Sequence, residues 1–510
     1  MALMDWWNGS AVTGRRGRVA PALVLSLAAA LVVSGCSTLE RAESFEEPVV
    51  DAPQESAERP TPREDARDRA LGAREHPKVL ASYGGVYRSA RIERYVAGVT
   101  DRLRRVSERP DLPFRVTILN SPSINAFSLP GGYVYVTRGL LALANDEAEV
   151  AAVIAHEMAH ITQRHAIARE EQAVSAAIAT QVISDVVDDP QASEAAFVLS
   201  QGQLAQFSRR QELQADEIGI ATLARAGYDP QAAVSFLTSL ERQTSLHARL
   251  LNRAYDSGRV DLFATHPSTP ERIAAARRDV EQVLPESGAR ERNRDSHLSA
   301  VNGLLYGDDP EEGYVRGQTF SHPGLGLTFT MPDGYGLENT AQAVIGFSER
   351  GDLIRFDGVS LPRGAPLAEY LATEGLQGGQ ITDVRQERIA GLETAIADAE
   401  APGWAFRIAL IRTEPDAAYR FILASRSLSS STEAAFLETV RSFRLLSAAE
   451  SDAIQPLRIA IATVQPGDTE GTIARRMALQ DRALERFLTL NGFSAGNTIR
   501  PGMQVKLIAN

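Results

Sequence analysis

Residues 153–165 read VIAHEMAHITQRH, which places three histidines and one glutamate close together in a chain of 510 residues with only eight histidines. The surrounding segment, Asp146 to Ala173, lacks Gly and Pro and is rich in Ala, Glu and Ile, so it predicts one continuous helix. The phase of that helix then decides which of these side chains share a face.

Helix geometry divides the four side chains into two groups. At about 100° per residue, His160 lies about 40° from His156 and one turn further along. Glu157 lies roughly 60° from His160, and His165 falls about 180° from His156, on the far side. We therefore expect His156 and His160 to share one site with Glu157 beside them, and we assign His165 no role in it.

His-Glu-x-x-His on a helix has a physical logic. Two neutral imidazoles at i and i+4 can hold one Zn²⁺ per chain, and the carboxylate between them can take a proton from water at the ion. The pattern therefore predicts a hydrolytic zinc site with His156 and His160 as ligands and Glu157 as general base. The alternative is a pair of helix histidines without a metal, and sites of this type also accept other divalent ions.

A third ligand must come from another part of the chain. The segment Phe207–Pro230 reads as a second helix, in which Glu212 and Asp216 lie one turn apart on one face. A glutamate ligand with a second acid one turn away suits a site of two histidines and one glutamate whose fourth position is open. The alternative is a solvated helix face.

Several motifs follow one another in a specific order between about His76 and Val283. They are Asn125-Ala126-Phe127, Pro130-Gly131-Gly132-Tyr133-Val134-Tyr135-Val136, Gly139-Leu140-Leu141, His156-Glu157-Met158-Ala159-His160 and Glu212-Leu213-Gln214-Ala215-Asp216. This series strongly resembles the zinc metallopeptidase family, of the HExxH gluzincin type, that includes HtpX, BepA and the CAAX prenyl-protein endopeptidase.

The resemblance implies a role for each matching residue. His156, His160 and Glu212 would be the zinc ligands, and Glu157 would be the catalytic base. Asp216 would be an acid that orients a ligand histidine.

A later segment, THPSTPERI at 265–273, resembles the family's His-Pro…Arg-Ile stretch, which lies near the metal. The resemblance implies that His266 either stabilises the oxyanion during catalysis or occupies the open zinc position as an inhibitory plug. The alternative is a loop histidine before a proline-capped helix.

Residues Gly132 to Thr137 alternate like a strand after a Gly-Gly turn. We expect this strand at the edge of the cleft, where an extended peptide can add a further strand. Asn125, Gly132, Tyr133 and Val134 are therefore the candidate substrate contacts. The alternative is a purely structural hairpin.

The start of the chain has the anatomy of an export signal. Arginines precede the uncharged run Val19–Cys36, which predicts a signal peptide over 1–36 whose end resembles a bacterial lipobox, with Cys36 lipidated. The alternative is an uncleaved anchor helix. Ser37 after the cysteine resembles sorting to the outer membrane, which favours its inner leaflet, facing the periplasm. The composition of 37–75 predicts a flexible tether.

The length predicts about three domains. We expect a metallopeptidase domain over 76–285, a charged connector over 286–313, a small α+β domain of unknown role over 314–447, and a final module over 456–510. In this module, the order strand–helix–helix–strand closely resembles LysM, which implies binding of peptidoglycan. The alternative is a structural cap that has lost glycan binding.

The fold expected is therefore α+β and multidomain: a mainly helical zincin-type domain with a small edge sheet, a small α+β domain, and a βααβ module. The net charge of −12 argues against nucleic acid as a partner. The leading hypothesis is a lipid-anchored zinc endopeptidase that acts on unfolded or misassembled envelope proteins. The alternatives are a LysM-targeted peptidoglycan endopeptidase and a non-catalytic chaperone or scaffold of envelope assembly.

Overall fold

The computed structural model describes residues 59–187, 190–250, 266, 269–283, 290–340, 343–348, 350–376, 379–494, 496 and 499–510. Cys36 and the predicted signal peptide, 1–36, lie outside the described residues. Residues Pro60–Asn510 form one compact unit.

Helices dominate the first part of this unit. They are α1 Pro62–Ser82, α2 Ala90–Arg104, α3 Arg138–Leu143, α4 Glu147–Thr162, α5 His165–Val187, α6 Pro190–Arg225, α7 Gln231–Leu250 and α8 Pro270–Val283. A small sheet of β1 Arg115–Leu119, β2 Ala126–Leu129 and β3 Tyr133–Thr137 lies among them in the order β1-β3-β2. The β1 and β3 strands are parallel, and β2 and β3 are antiparallel.

Helix α4 is the central element of this first part of the unit. All but two of its residues are buried, which explains why it is apolar almost all round rather than on one stripe. Asp146 caps its N-terminus, and the Asp146 carboxylate accepts a hydrogen bond from Glu149 N at 2.9 Å.

The continuous helix predicted from Asp146 to Ala173 is wrong. Helix α4 ends at Thr162, and Arg164 has a φ of 54°, in the left-handed region. A new helix, α5, begins at His165, so the helical phase is not carried across this turn. The position predicted for His165 is therefore wrong as well.

Helix α1 shortens the predicted tether. The side chain of Thr61 and that of Glu64 form a capping box, and a proline occupies the first turn. These signals start a helix at Pro62, so the flexible segment predicted for 37–75 extends too far along the chain.

The predicted connector, 286–313, contains regular structure. It holds helix α9, Arg294–Val301, and strand β4, Leu305–Tyr306. Residues His297 and Leu298 of α9 are fully buried. The segment is therefore part of the packed body rather than a solvated link.

The middle part contains both strands and helices, as the sequence predicts for this region. Its antiparallel strands form two sheets, ordered β11-β12-β13-β14-β10-β9-β8 and β15-β7-β6-β5. The elements are β5 Tyr314–Arg316, β6 Thr319–His322, β7 Leu327–Thr330, β8 Tyr335–Asn339, β9 Val344–Ser348, β10 Leu353–Ser360, α10 Leu367–Glu374, β11 Gln380–Ile389, β12 Leu392–Ala401, β13 Trp404–Glu414, β14 Ala417–Ser425, α11 Ser430–Ser442, β15 Arg444–Leu445 and α12 Ala448–Ala453.

The last part has the predicted order of strand, two helices and strand. Its elements are β16 Leu457–Thr463, α13 Glu470–Ala474, α14 Ala483–Leu490 and β17 Gln504–Ala509, and its sheet order is β17-β16-β4. Its apolar side chains, such as Ile459, Phe487 and Ile508, belong to the same core as Val150 and Ile154 of α4. We therefore correct the expectation of a separately packed module at 456–510.

No helix in the described part of the chain combines the length and the apolar character that a membrane span requires.

Candidate metal centre

A close helix crossing sets the position of the candidate ligands. Gly219 of α6 lies against the backbone of His156, where an added Cβ would be 3.1 Å from His156 N and 3.3 Å from His156 Cα. The missing side chain lets α6 approach α4, so that Glu212, two turns before Gly219, reaches the histidines. This glycine is unfavourable within a helix in general, and here the close crossing requires it.

Three side chains predicted as ligands lie together. Nε2 of His156 and Nε2 of His160 are 3.0 Å apart. The Glu212 carboxylate has Oε2 at 3.4 Å from His156 Nε2 and Oε1 at 3.5 Å from His160 Nε2. The side chains of all three are buried.

These separations fit a zinc ion. Tetrahedral ligands with bonds of about 2.0–2.1 Å are about 3.3 Å from one another, close to the distances between the ligand atoms of His156, His160 and Glu212. With His266 included, four possible ligand atoms lie within 4.8 Å of one another. Such a set of imidazole and carboxylate groups suits Zn²⁺.

Asp216 and Arg272 support this cluster. Asp216 Oδ1 lies 2.9 Å from Nδ1 of His156, the ring nitrogen opposite the one that faces the other ligands. Arg272 donates to both oxygens of Asp216, from Nε and Nη2 at 2.8 Å each, and its Nη1 lies 2.9 Å from Glu212 Oε2. One buried guanidinium thus orients both acids.

The charges of these groups shift their pKa values. Burial raises the pKa of the Asp216 carboxyl. The Arg272 guanidinium and the His156 ring outweigh this effect and lower the pKa to about 2. Burial also raises the pKa of Glu212, and the rings of His156 and His266 bring it well below its usual range. Both carboxylates are therefore ionised at neutral pH.

Glu157 lies beside the cluster and is 1% exposed. Its Oε2 accepts a hydrogen bond from Ser128 Oγ of β2 at 3.0 Å, and its Oε1 is 3.5 Å from His266 Nε2. This places the predicted base between the ligand cluster and the edge of the small sheet.

His266 lies at the fourth corner of the cluster. Its Nδ1 is 2.8 Å from Glu212 Oε1 and 3.4 Å from His156 Nε2. The ring therefore lies where a fourth ligand to the ion would be, and it faces Glu157 with its other nitrogen.

His165 contacts the site, contrary to its predicted position. Its Nδ1 is 2.8 Å from Nδ1 of His160, and its Nε2 is 3.1 Å from Gln214 Oε1. Burial lowers the pKa of His165 below its usual value. Helix phase missed this residue because the turn at Arg164 brings it back over α4.

The predicted substrate contacts lie elsewhere in the sheet. Strand β3, which carries Tyr133 and the fully buried Val134, is central and pairs on both sides. Gly132 has a φ of 95° and packs against the carbonyl of Pro113. The Asn125 carbonyl accepts from Thr137 N, and Asn125 N donates to Thr137 Oγ1. The expectation that β3 forms the cleft edge is therefore wrong.

Strand β2 lies at one edge of this sheet, and it lines a cleft of about 360 Å³. The residues that line the cleft are Asp68, Tyr83, Phe127, Ser128, Leu129, Pro130, His160, Ile161, Arg164, Ala166, Ile167, Arg169 and His266. Sequence reasoning assigned no role to Ser128, Arg272 or His165. Of these, only Arg272 had a signal in the sequence, since it is the arginine of the THPSTPERI segment.

Comparisons with known proteins agree with this geometry. Residues 90–280 match the model of Peptidase family M48. The mitochondrial metalloendopeptidase OMA1 of Schizosaccharomyces pombe is 35% identical over 205 residues, which cover 40% of this chain and 56% of that protein. The beta-barrel assembly-enhancing protease of Escherichia coli K12 is 34% identical over 204 residues, which cover 38% of this chain and 40% of that protein.

The match therefore spans about half the length of these relatives, or less. Among solved structures, the cyanobacterial PsbP of Synechocystis covers 25% of this chain and 91% of its own, at 11% identity and a TM-score of 0.20. A likeness at that level supports no argument about the fold or the role of the matching segment.

Proposed function

From the match of residues 90–280 to Peptidase family M48, which the motifs predicted, we propose that this chain is a zinc-dependent metalloendopeptidase. Its proposed reaction is the hydrolysis of peptide bonds of cell-envelope proteins. The observation that carries the proposal is the cluster of His156, His160 and Glu212 with Glu157 beside it. These are the groups that hydrolysis at a zinc ion requires.

The protein's own side chains do most of the positioning. When bound, zinc supplies a Lewis acid that lowers the pKa of water and polarises the scissile carbonyl. Glu157 is the general base that takes the proton of the attacking water and passes it to the leaving amine. The Ser128 hydroxyl holds Glu157 Oε2 at 3.0 Å, so the second oxygen of Glu157 remains directed towards the cluster.

Strand β2 is the proposed binding edge for substrate. Among the described residues, β2 pairs with β3 alone, and its other side lines the cleft. An extended peptide can add there as a further strand, with its backbone held by hydrogen bonds of the sheet type. Since Ser128 of β2 contacts Glu157, a peptide on this edge would present its carbonyl next to the base.

Apolar side chains line much of this cleft, including Phe127, Leu129, Ile161 and Ile167. Such a surface fits unfolded or misassembled polypeptides, whose apolar side chains are accessible. The similarity to a protease named for β-barrel assembly supports envelope proteins as the substrates. The lipobox-like end at Cys36 supports a lipid anchor, in the inner leaflet of the outer membrane facing the periplasm.

The LysM-like order of the last part supports peptidoglycan as a second partner. A role as peptidoglycan endopeptidase is less favoured, because crosslinks with D-amino acids fit poorly on a strand edge such as β2. A non-catalytic chaperone or scaffold makes the opposite prediction for the base, which the following experiment tests.

The test is cleavage of casein and of purified envelope proteins by wild type and by Glu157→Gln. We expect the substitution to reduce the rate about 10³-fold, because the amide cannot accept the proton. Zinc content should remain one equivalent, since Glu157 is not a ligand. The control is Glu170→Gln, the same change at an exposed position of α5, which should leave the rate unchanged. Equal rates for Glu157→Gln and wild type would refute the proposal.

A further inference from the structure

The turn between α4 and α5 has an unusual backbone. Arg164 has a φ of 54°, which costs free energy for a residue with a side chain. Its guanidinium donates to both oxygens of Asp68 in α1, from Nε at 3.0 Å and Nη2 at 3.1 Å, and this pair holds the turn. The result is that His165 lies over His160, with 2.8 Å between their Nδ1 atoms.

Two facing ring nitrogens form a hydrogen bond only if one carries a proton and the other does not. The positions of the ring atoms leave the direction open, because each neutral histidine has two tautomers. Which ring donates follows from the far end of the hydrogen-bond network that contains His165. That end is the carboxylate of Glu108, which can only accept. Glu108 accepts there from Thr162 Oγ1 at 2.7 Å and from Gln163 Nε2 at 2.9 Å.

The side-chain amides of Gln163 and Gln214 connect Glu108 to His165 and determine which atom donates at each step. Since the nitrogen of the Gln163 amide faces Glu108, its Oε1 is the atom that accepts from Gln214 Nε2, at 3.4 Å. Gln214 is thereby oriented with its Oε1 towards Nε2 of His165, at 3.1 Å. His165 must then carry its proton on Nε2, which leaves Nδ1 as an acceptor.

We propose that these five side chains, Glu108, Gln163, Gln214, His165 and His160, form a directional relay that fixes the tautomer of the ligand His160. Because His165 Nδ1 accepts, His160 Nδ1 donates, and the lone pair of His160 lies on Nε2. Nε2 is the atom directed at the other ligands, 3.0 Å from His156 Nε2. His165 is a positioning residue in this scheme, and the inference rests on the proposed function only in taking His160 as a ligand.

The two ligand histidines are thus oriented by different chemistry. His156 faces Asp216, an ionised acid paired with Arg272. His160 faces a neutral imidazole, and the nearest charge in its relay is Glu108, four residues away along the network. A neutral relay fixes the ring without a further carboxylate beside Glu212, where like charges would repel.

The first experiment reads the tautomers directly. Full-length protein with ¹⁵N-labelled histidine, loaded with zinc, is studied by two-bond ¹H–¹⁵N correlation, with assignment by single substitution. We expect the proton of His165 on Nε2 and that of His160 on Nδ1. A proton on Nδ1 of His165 would overturn the relay whatever the activity of the enzyme.

The second experiment measures zinc affinity by chelator competition. We expect His165→Phe to bind zinc about 10- to 100-fold more weakly, since His160 Nδ1 then has no acceptor. His165→Gln, whose amide oxygen can accept, should recover most of the affinity. Equal affinity of His165→Phe and wild type would contradict the proposal.

Glu108→Gln tests whether the Glu108 carboxylate fixes the order of donors and acceptors in the relay, because the substitution barely changes the shape of the side chain. The new amide can donate as well as accept, so Gln163 loses its fixed orientation and His165 should populate both tautomers. Glu170→Gln is the control and should change nothing. An unchanged single tautomer in Glu108→Gln would place the origin elsewhere and refute the relay as described. If wild type bound no zinc while His165 showed the expected tautomer, the proposed function would fail and the relay would stand.

Discussion

His266 occupies the place in the cluster where a substrate or water molecule would meet the proposed zinc ion. Its Nδ1 lies 2.8 Å from Glu212 Oε1 and 3.4 Å from His156 Nε2, which is the spacing of a fourth ligand. This position favours the plug over the oxyanion role, although the sequence left both open.

We therefore expect His266→Ala to raise basal peptide cleavage. If the open state is about a tenth of the population, removal of the ring should increase the rate about tenfold. The measurement is the initial rate on a quenched fluorescent peptide, with zinc content determined in parallel. A rate that falls at full zinc occupancy would favour oxyanion stabilisation instead.

At the scale of single residues, sequence spacing predicted most of the side chains that meet in the site, but not His165. The i, i+4 relation of His156 and His160 and the helical face of Glu212 hold in the structure. His165 was misplaced because nothing in the letters ITQRH marks a break. The left-handed turn at Arg164 depends on a contact with Asp68, 96 residues away, which the local sequence does not contain.

Helix α1 packs on the β2–β3 turn through glycines. A Cβ on Gly72 of α1 would lie 2.6 Å from the Tyr133 ring and closer still to the carbonyl oxygen of Pro130. Gly131 in the turn, with a φ of 84°, likewise packs against Arg69 Cα of α1 at 2.5 Å from its own missing Cβ. The helix thus supports the turn from which the edge strand runs.

We expect Gly72→Ala to destabilise the protein by about 1–3 kcal/mol, because the methyl group has no room. The control is Gly98→Ala in the middle of α2, where a Cβ would meet nothing within 4 Å. That substitution should stabilise by about 0.5–1 kcal/mol through helix propensity. Urea unfolding of both variants checks the prediction, and stabilisation by both would show that the α1 contact is looser than described.

Element types were easier to predict than their neighbours. The strand at Tyr133–Thr137 and the helices at α4 and α6 follow from periodicity. The central place of β3 does not, because sheet order depends on pairing between segments, and a parallel β1–β3 pair leaves no local signal. The start of α1 was readable from Thr61, Pro62 and Glu64, but composition outweighed the cap in our prediction.

The last part of the chain is joined by a buried lysine to residues 90–280, the part that matches Peptidase family M48. Lys506 of β17 is fully buried, and its Nζ donates to the carbonyl oxygens of Ala142, Leu143 and Ala144 at 2.7, 3.0 and 2.6 Å. These carbonyls end α3, so the ammonium group meets the negative end of a helix. The next residues lead into the N-cap of α4, the helix that carries His156 and His160, two of the three proposed zinc ligands.

We expect Lys506→Met to lower the free energy of unfolding by about 3 kcal/mol or more, since three buried carbonyls lose their donor. Peptidase activity and zinc binding should be lost at the same temperature as the fold. Lys78→Met, at the only other lysine and on an exposed face of α1, should stay within about 0.5 kcal/mol of wild type. If residues 90–280 of Lys506→Met unfolded in a separate transition at the wild-type temperature, the last part would not stabilise them as we expect.

The sequence predicted the order of strands and helices in the last part, but it did not predict that this part shares a core with α4. A βααβ order indicates a small module in any setting, and the burial of Lys506 becomes visible only when its partners at 142–144 are in place. The connector was misread for the same reason, since β4 gains its partner β16 from residues more than 150 positions later.

The contact between Lys506 of β17 and the end of α3 also affects when a newly made chain can complete its fold. Chains emerge from the ribosome N-terminus first, and local units fold as they appear. The end of α3, just before α4, obtains its contact with Lys506 only after that residue has been translated, 346 residues after His160 and 294 after Glu212. We therefore expect the proposed peptidase to become active only after its final strand has been made, which would keep the nascent chain and its neighbours from being cleaved during synthesis.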